Sequence, residues 1–138
     1  MIEKPPIVAT PLNTFFWEAA RREKLVIQRC EACRRYVHPP LPLCPECGGG
    51  ALAPERVSGK GVVESFTIVR RVFHPGFAED VPYVVARIEL DEQPGLVLIT
   101  NVKDIPVEAV RIGLRVEVMF EHRPDGVLPQ FRPAERAQ

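Results

Sequence analysis

Four cysteines in two Cys-x2-Cys pairs, separated by ten residues, constrain the fold of this chain more than any other feature. They are Cys30, Cys33, Cys44 and Cys47. Each pair can turn back so that two thiolates converge on one metal ion about 2.3 Å away, and the two pairs together complete a tetrahedron. Four thiolates leave no open position for water or substrate, so we predict one structural zinc ion rather than a catalytic one.

Other uses of the four cysteines fit less well. Disulfides would need an oxidising compartment, whereas residues 1–6 lack the pattern of a signal peptide. No apolar run reaches the roughly 18 residues that a membrane span needs. A thioredoxin-type redox pair would need a βαβ context, which the sequence does not predict. A four-thiolate iron site has nearly the same ligand set and stays open as an alternative. We therefore predict a cytoplasmic metal-binding protein.

The segment ahead of the cysteines predicts a helix. In Thr10-Pro11, a hydroxyl that can cap free N–H groups precedes a proline suited to the first helical position. Apolar residues then recur at helical spacing from Leu12 to Ala20. We expect a helix over 11–23, followed by a short strand over 25–29 that runs into the first cysteine pair.

The second half of the chain predicts β-structure. Apolar and polar residues alternate in the runs 83–90 and 114–121, as in half-buried strands. The expected elements are strands over 62–73, 83–90 and 96–102, a short helix over 106–110, a strand over 114–121 and a short fifth strand around Phe131. Three strands, a helix and two strands is the order of a five-stranded OB barrel. We expect an N-terminal arm and helix in 1–28, a zinc ribbon in 29–56, and an OB-fold domain with a C-terminal tail in 57–138.

Intrinsic catalysis is not expected. The sequence has no GxSxG elbow, P-loop or dinucleotide fingerprint, and all four cysteines are assigned to the metal. His38 lies between the cysteine pairs and is expected near the metal ligands or on the surface. His74 and His122 are expected in loops.

The distribution of charge does not favour nucleic acid as a partner. The formal net charge is zero, and residues 61–138 carry nine basic against twelve acidic side chains. A dedicated nucleic-acid-binding domain would be strongly basic. A single-stranded nucleic-acid-binding module stays an alternative, because OB barrels often serve that purpose.

The motifs from about Phe16 to Pro133 carry a family resemblance. They are Phe16-Trp17, Gln28-Arg29-Cys30-x-x-Cys33, Pro39-Pro40, Cys44-Pro45-Glu46-Cys47-Gly48, Ser58-Gly59-Lys60-Gly61, Pro82-Tyr83-Val84-Val85-Ala86, Gly113 and Phe131-Arg132-Pro133. In this order they resemble the zinc-ribbon/OB-fold proteins associated with acyl-CoA metabolism, long known as a domain of unknown function.

The resemblance implies an architecture and a role. The architecture is mainly β: an N-terminal helix and a rubredoxin-like zinc ribbon, followed by a five-stranded OB-fold barrel. The role is that of a non-catalytic accessory subunit, which binds acyl-CoA or docks onto a thiolase-like enzyme, or in some systems a hydratase. Some members complete aldolase or thiolase complexes that degrade steroid side chains or aromatic-derived acids.

A set of aromatic and basic residues suits the phosphates and adenine of CoA, which call for basic donors beside an aromatic slot. The expected contacts are Phe16, Trp17, Arg21, Arg22, Arg34 and Arg35. The alternative, left open, is that Phe16 packs in the core and Trp17 covers its edge. Two positions depart from the family pattern. Leu41 stands where members often carry a basic residue. After Leu90-Asp91-Glu92, where many members have a glycine directly, Gln93-Pro94-Gly95 intervenes and is expected only to lengthen a turn.

Overall fold

One α-helix precedes the metal site in the computed structural model, which describes residues 4–134. This helix, α1, spans Thr14–Arg21 and is shorter than the predicted helix over 11–23. Its start is displaced because Thr10 and Asn13 form a turn of their own, in which the Thr10 N–H donates to Asn13 Oδ1 at 2.6 Å. Beyond its end, Glu23 takes a left-handed conformation with a φ of 57°, which stops the helical path.

The ribbon contains a three-stranded antiparallel sheet in the order β2-β1-β3. Its strands are β1 (Val26–Cys30), β2 (Tyr36–Val37) and β3 (Leu52–Arg56). The sequence did not predict β3, because glycines precede it and Pro54 lies at its centre. Proline is tolerated there because β3 is an edge strand, whose outward N–H groups need no partner in the sheet.

The second half forms a closed barrel of five strands in the order β4-β5-β6-β8-β7. The strands are β4 (Lys60–Val69), β5 (Tyr83–Leu90), β6 (Val97–Val102), β7 (Arg115–Arg123) and β8 (Gly126–Pro133). The predicted fold class, mainly β with a ribbon and an OB-like barrel, is confirmed.

Three predicted elements of the barrel differ in extent. β4 ends at Val69 rather than Phe73, and a loop containing the short 3-10 helix Pro75–Phe77 follows it. The helix predicted over 106–110 is a single 3-10 turn, Val107–Ala109. β8 has eight residues, whereas the sequence predicted only a short strand around Phe131. Most of its residues are buried, so it lacks the period-2 alternation by which a half-buried strand is recognised.

Two residues allow the barrel to close. β4 passes so near β5 that a Cβ on Gly61 would lie 2.5 Å from the Glu89 carbonyl oxygen, so only glycine fits. β6 and β8 are joined by a single parallel pair, Val102 with Phe131. Beside that pair, the buried Gln130 side chain accepts from the Asn101 N–H at 3.1 Å and fills the gap between the two strands.

Ribbon and barrel share one hydrophobic core. Leu25, Ile27 and Tyr36 of the ribbon belong to the same buried cluster as Ile88 and Phe131 of the barrel. Each fully buried side chain of this size contributes roughly 1.5–3 kcal/mol, so the barrel holds the ribbon at a fixed position. Within residues 4–134, no helix is long and apolar enough to cross a membrane.

Candidate metal centre and its surroundings

The four cysteine sulfurs converge on one point. The Sγ atoms of Cys30 and Cys47 are 3.6 Å apart, as are those of Cys33 and Cys44, and all four lie within 4.8 Å of one another. Thiolates at the corners of a tetrahedron, each 2.3 Å from zinc, are about 3.8 Å apart. The site therefore has the size and the ligand set for one zinc ion.

Both Cys-x2-Cys loops close in the same way. The Arg34 N–H donates to the Cys30 carbonyl at 2.9 Å, and the Gly48 N–H donates to the Cys44 carbonyl at 2.8 Å. The closing residue is left-handed in each loop, with a φ of 67° at Arg34 and 75° at Gly48. Glycine adopts this conformation freely, whereas it costs another residue about 1–2 kcal/mol. The first loop carries that strain.

Backbone N–H groups favour the thiolate form at the two buried cysteines. The Cys33 N–H points at Cys30 Sγ, 3.5 Å away, and this interaction lowers the pKa of the Cys30 thiol to about 6 against the opposing effect of burial. The N–H of Cys47 likewise lowers the pKa of Cys44. Since zinc binds the deprotonated thiol, the fold prepares these two ligands for the metal.

A network around Glu55 supports the first cysteine loop. Its carboxylate pairs with Arg29, accepts from the Tyr36 hydroxyl at 2.9 Å and pairs with Arg34 at 3.1 Å. The hydrogen bond from Arg29, followed by that from Tyr36, lowers the pKa of Glu55. The Arg29 guanidinium also stacks 4.3 Å from the centre of the Tyr36 ring. Arg34, a predicted CoA contact, is therefore engaged within the ribbon.

Two glutamines hold the excursion between the cysteine pairs. Gln28 accepts from the Leu41 N–H at 2.8 Å and donates to the Leu41 carbonyl at 2.9 Å. Gln93, from the β5–β6 turn, binds the N–H and carbonyl of Tyr36 in the same way, at 2.8 and 3.1 Å. The Gln93-Pro94-Gly95 segment thus does more than lengthen a turn, since it ties the ribbon to the barrel. No local sequence signal marks either glutamine.

Phe16 and Trp17 lie side by side in α1, and the Phe16 ring also meets His38 of the ribbon. Phe16 is partly buried against the core, and its ring centre lies 5.0 Å from that of Trp17 in an edge-to-face arrangement. The Trp17 Nε1 atom is buried and has no hydrogen-bond partner in the described part of the chain. Phe16 therefore packs against the core, as in the alternative that the sequence left open.

The four predicted arginine contacts do not form one cluster. Arg34 pairs with Glu55, and Arg35 pairs with Glu46 at 3.5 Å. At the end of α1, Arg21 donates to the Asp125 carbonyl at 3.2 Å. Arg22 is exposed and takes part in none of the ion pairs found among residues 4–134. Their contact with CoA stays a prediction.

None of the three histidines belongs to the four-sulfur cluster. The His38 ring is 5.7 Å from that of Phe16, and burial lowers its pKa, so it packs as a neutral side chain. His74 Nδ1 accepts from the Gly76 N–H at 2.9 Å and caps a short 3-10 helix. His122 lies in β7 rather than in a loop, and it pairs with Glu23 at 2.7 Å.

An open cleft of about 1050 Å³ lies between the N-terminal arm, the β4–β5 loop and the β7–β8 hairpin. Lys4 binds Asp80 at 2.8 Å, and the Ile7 N–H donates to Asp125 Oδ2 at 2.8 Å, so the arm forms one wall. Glu79 and Glu121 add further carboxylates to its lining. None of the six predicted CoA contacts lines this cleft, whose lining has four carboxylates against the two basic side chains of Lys4 and Arg123.

Two family models match consecutive parts of the chain. One is described as ChsH2, rubredoxin-like zinc ribbon domain, and covers residues 17–53. The other is described as ChsH2, C-terminal OB-fold domain, and covers residues 54–121. The matches confirm the family resemblance, and with the sulfur geometry they confirm a structural zinc ion as the cofactor. The predicted boundaries at 28/29 and 56/57 stay predictions.

Similar proteins of known sequence include a hydratase subunit and scaffold proteins. The probable enoyl-CoA hydratase alpha subunit of Thermomonospora curvata is 42% identical over 123 residues, which cover 88% of this chain and 37% of that protein. This chain therefore spans little more than a third of that relative. A DUF35 domain-containing scaffold protein of Methanocaldococcus jannaschii is 34% identical over 119 residues, covering 80% of this chain and 82% of that protein.

Two solved structures share the fold. A chain of the Ltp2-ChsH2(DUF35) aldolase superposes with a TM-score of 0.83 at 39% identity, covering 92% of this chain and 98% of that chain. A protein of unknown function from the DUF35 family of Sulfolobus solfataricus has a TM-score of 0.64 at 16% identity, covering 91% of this chain and 87% of that chain. The second likeness shows the fold alone.

Proposed function

Because the chain belongs to the DUF35 family, in the ChsH2-type form with a zinc ribbon and an OB-fold domain, we propose that it is a non-catalytic accessory subunit. The enzyme it assists would act on CoA thioesters. The observation that carries the proposal is its match, at 39% identity, to 98% of a chain from the Ltp2-ChsH2(DUF35) aldolase. The name of the archaeal relatives, scaffold protein, supports the same role.

The chemistry of the metal site agrees with a supporting role. A zinc ion bound by four thiolates has no position for substrate and so supplies folding energy rather than Lewis-acid catalysis. We place the protein in the cytoplasm, where reducing conditions keep the four thiols available for the metal.

The enzyme partner in this proposal is a thiolase-like, aldolase or hydratase subunit. The name of the aldolase structure supports an aldolase, and that of the Thermomonospora curvata protein supports a hydratase; the thiolase-like partner is what the family resemblance implies. The corresponding pathway would be acyl-CoA breakdown, such as that of steroid or aromatic acids.

We also propose that this chain contacts the acyl-CoA itself. Phe16, Trp17, Arg21, Arg22, Arg34 and Arg35 are the proposed contacts. Arg22 has no ion-pair partner among the described residues 4–134, whereas Arg34 and Arg35 would have to leave carboxylates to bind a phosphate. Since the described cleft contains none of the six, we propose that the partner's surface completes the ligand site.

Reconstitution tests the accessory role. The chain is co-expressed with each thiolase-like and hydratase-like subunit encoded in its own genome, and complexes are isolated by size-exclusion chromatography. We expect one defined complex, higher acyl-CoA turnover than the enzyme subunit alone shows, and no turnover by this chain alone. Turnover by the isolated chain at enzyme-like rates would refute the non-catalytic role.

Titration calorimetry of that complex with CoA tests the ligand contacts. Exchanging both Arg21 and Arg22 for Gln should weaken CoA binding, because the exchange removes two cations from one helix end. Arg111→Gln is the control, since Arg111 is exposed and lies in a loop of the barrel rather than at the end of α1. Equal CoA affinity of all three proteins would remove Arg21 and Arg22 from the proposed site.

Single-stranded nucleic acid is less well supported as a ligand. OB folds bind it through the outer face of their second and third strands, here β5 and β6. On that face Arg87 is paired with Glu64 at 2.7 Å, and Ile99 is exposed beside it. Arg87 is the only basic residue in β5 and β6, so these two strands offer no second cation for a phosphate backbone.

A further inference from the structure

The loop between β4 and β5 exposes a large apolar tip. Phe73 is 76% exposed and Val72 is 45% exposed, although the sequence predicted both within a strand. An exposed phenylalanine is costly in water, and aromatic side chains together with arginine are enriched at the centres of protein interfaces. We call residues 70–73, Arg70-Arg71-Val72-Phe73, the loop tip.

The rest of this loop is anchored. His74 caps the 3-10 helix that follows the tip. The Phe77 ring lies 5.8 Å from the Tyr83 ring at the start of β5, and Lys4 of the N-terminal arm lies 5.4 Å from the centre of the Phe77 ring. The loop therefore presents its tip from a packed base, which reduces the ordering cost of binding.

The charges of the tip have no partner within the described chain. Arg29, Arg87 and Arg115 are among the arginines that pair with carboxylates. Neither Arg70 nor Arg71 does so among residues 4–134. The Arg71 guanidinium instead lies 5.9 Å from the Phe73 ring centre. A complementary surface would place carboxylates around an apolar pocket.

We propose that the loop tip is the docking element for the enzyme subunit, with Phe73 inserted in an apolar pocket of that subunit and Arg70 and Arg71 facing acidic residues on its rim. This inference rests on the proposed function, because it assigns a surface to the partner described there. Phe73 supplies most of the buried apolar area, and the two arginines steer association.

Arg111 and Ile112 provide a matched control on the same barrel. Ile112 is 68% exposed and directly follows Arg111, as Val72 directly follows Arg71 in the tip. It precedes Gly113, whose N–H donates to the Val63 carbonyl near the start of β4. The tip follows the other end of β4 at Val69, roughly 20 Å away along the strand.

The affinity of the purified enzyme subunit for four proteins tests the inference. These are the wild type, Phe73→Ser, the double variant Arg70→Glu/Arg71→Glu and the control Ile112→Ser. The partner is the enzyme subunit that forms a complex in the reconstitution experiment. Surface plasmon resonance with this subunit should show at least a tenfold loss of affinity for Phe73→Ser. The double variant should associate at least tenfold more slowly at low salt, and the control should behave as wild type. Unchanged melting temperatures establish that each variant is folded.

Each other outcome has a defined meaning. If the complex forms and Phe73→Ser binds as tightly as wild type, the docking inference is wrong and the accessory role survives. If no enzyme subunit binds the wild type, both fail. If the chain alone is a dimer that Phe73→Ser converts to a monomer, the tip binds a second copy of this chain, which overturns the assignment to the enzyme.

Discussion

At the scale of single residues, the side-chain amides of three glutamines make hydrogen bonds of the kind that a neighbouring strand's backbone would make. The side chains of Gln28 and Gln93 each bind the N–H and the carbonyl of one ribbon residue, and Gln130 bridges two barrel strands that meet at a single pair. A primary amide offers a donor and an acceptor with the spacing of a peptide group. In the sequence, however, a glutamine is only a polar residue, so these roles could not be predicted.

Glu55 should make stability depend on pH. Its carboxyl pKa is lower in the folded protein because Arg29 and Tyr36 donate to it. Its stabilising effect is therefore complete above the pKa of the unfolded chain, about 4.3, and is lost as pH falls through the lower folded pKa. We expect Glu55→Gln to melt below wild type at pH 7, with a difference that shrinks below about pH 4.

The measurement is thermal unfolding between pH 7 and 3.5, with each variant compared with wild type at the same pH, because zinc is released from all of them as the thiols become protonated. Glu31→Gln is the control, because Glu31 is exposed on the same ribbon and makes no ion pair in the described residues 4–134. A Glu55→Gln difference that stays constant at all pH values would contradict the role assigned to this carboxylate.

At the scale of elements, local pattern predicted most of the barrel. Alternation predicted β5 and β7 almost to the residue, because each has one face in the core and one in solvent. β3 was not predicted, because it is an edge strand that contains a proline. β8 was predicted only as a short strand around Phe131, because most of it is buried on both faces. In both cases the strand exists because a neighbouring strand pairs with it.

The zinc ribbon depends on all four thiolates. Zinc bound in such sites contributes on the order of 10 kcal/mol to folding, and Cys44 is a buried ligand. We expect Cys44→Ser to lose most of its bound zinc and to lose ribbon structure and partner binding together. Zinc content by atomic absorption, circular dichroism and co-purification measure the three effects, with Leu43→Ser as an exposed neighbouring control. A folded, metal-free Cys44→Ser protein that bound its partner normally would refute this role of zinc.

At the scale of the whole molecule, ribbon and barrel form one unit because they share a core and because Gln93 crosses between them. Gln93→Ala removes two hydrogen bonds and leaves the Tyr36 N–H without its partner, which should lower the free energy of unfolding by about 1–3 kcal/mol. Amide hydrogen exchange in β1 and β2 should accelerate more than exchange in β5. Gln93→Glu keeps an acceptor for the Tyr36 N–H and should lie between wild type and Gln93→Ala. Uniform acceleration throughout the chain would show that Gln93 does not couple the two parts.

By itself, the sequence determined what depends on residues close together in the chain. The spacing of Cys30, Cys33, Cys44 and Cys47 specifies the metal site, because each loop must close on itself. Tertiary structure alone decided which arginines are free. Arg34 meets Glu55 across the ribbon sheet, whereas Arg70 and Arg71 meet no carboxylate in the part of the chain that the structure describes. Whether a charge is paired within the protein or left for a ligand depends on partners distant in sequence, and only the fold brings those partners together.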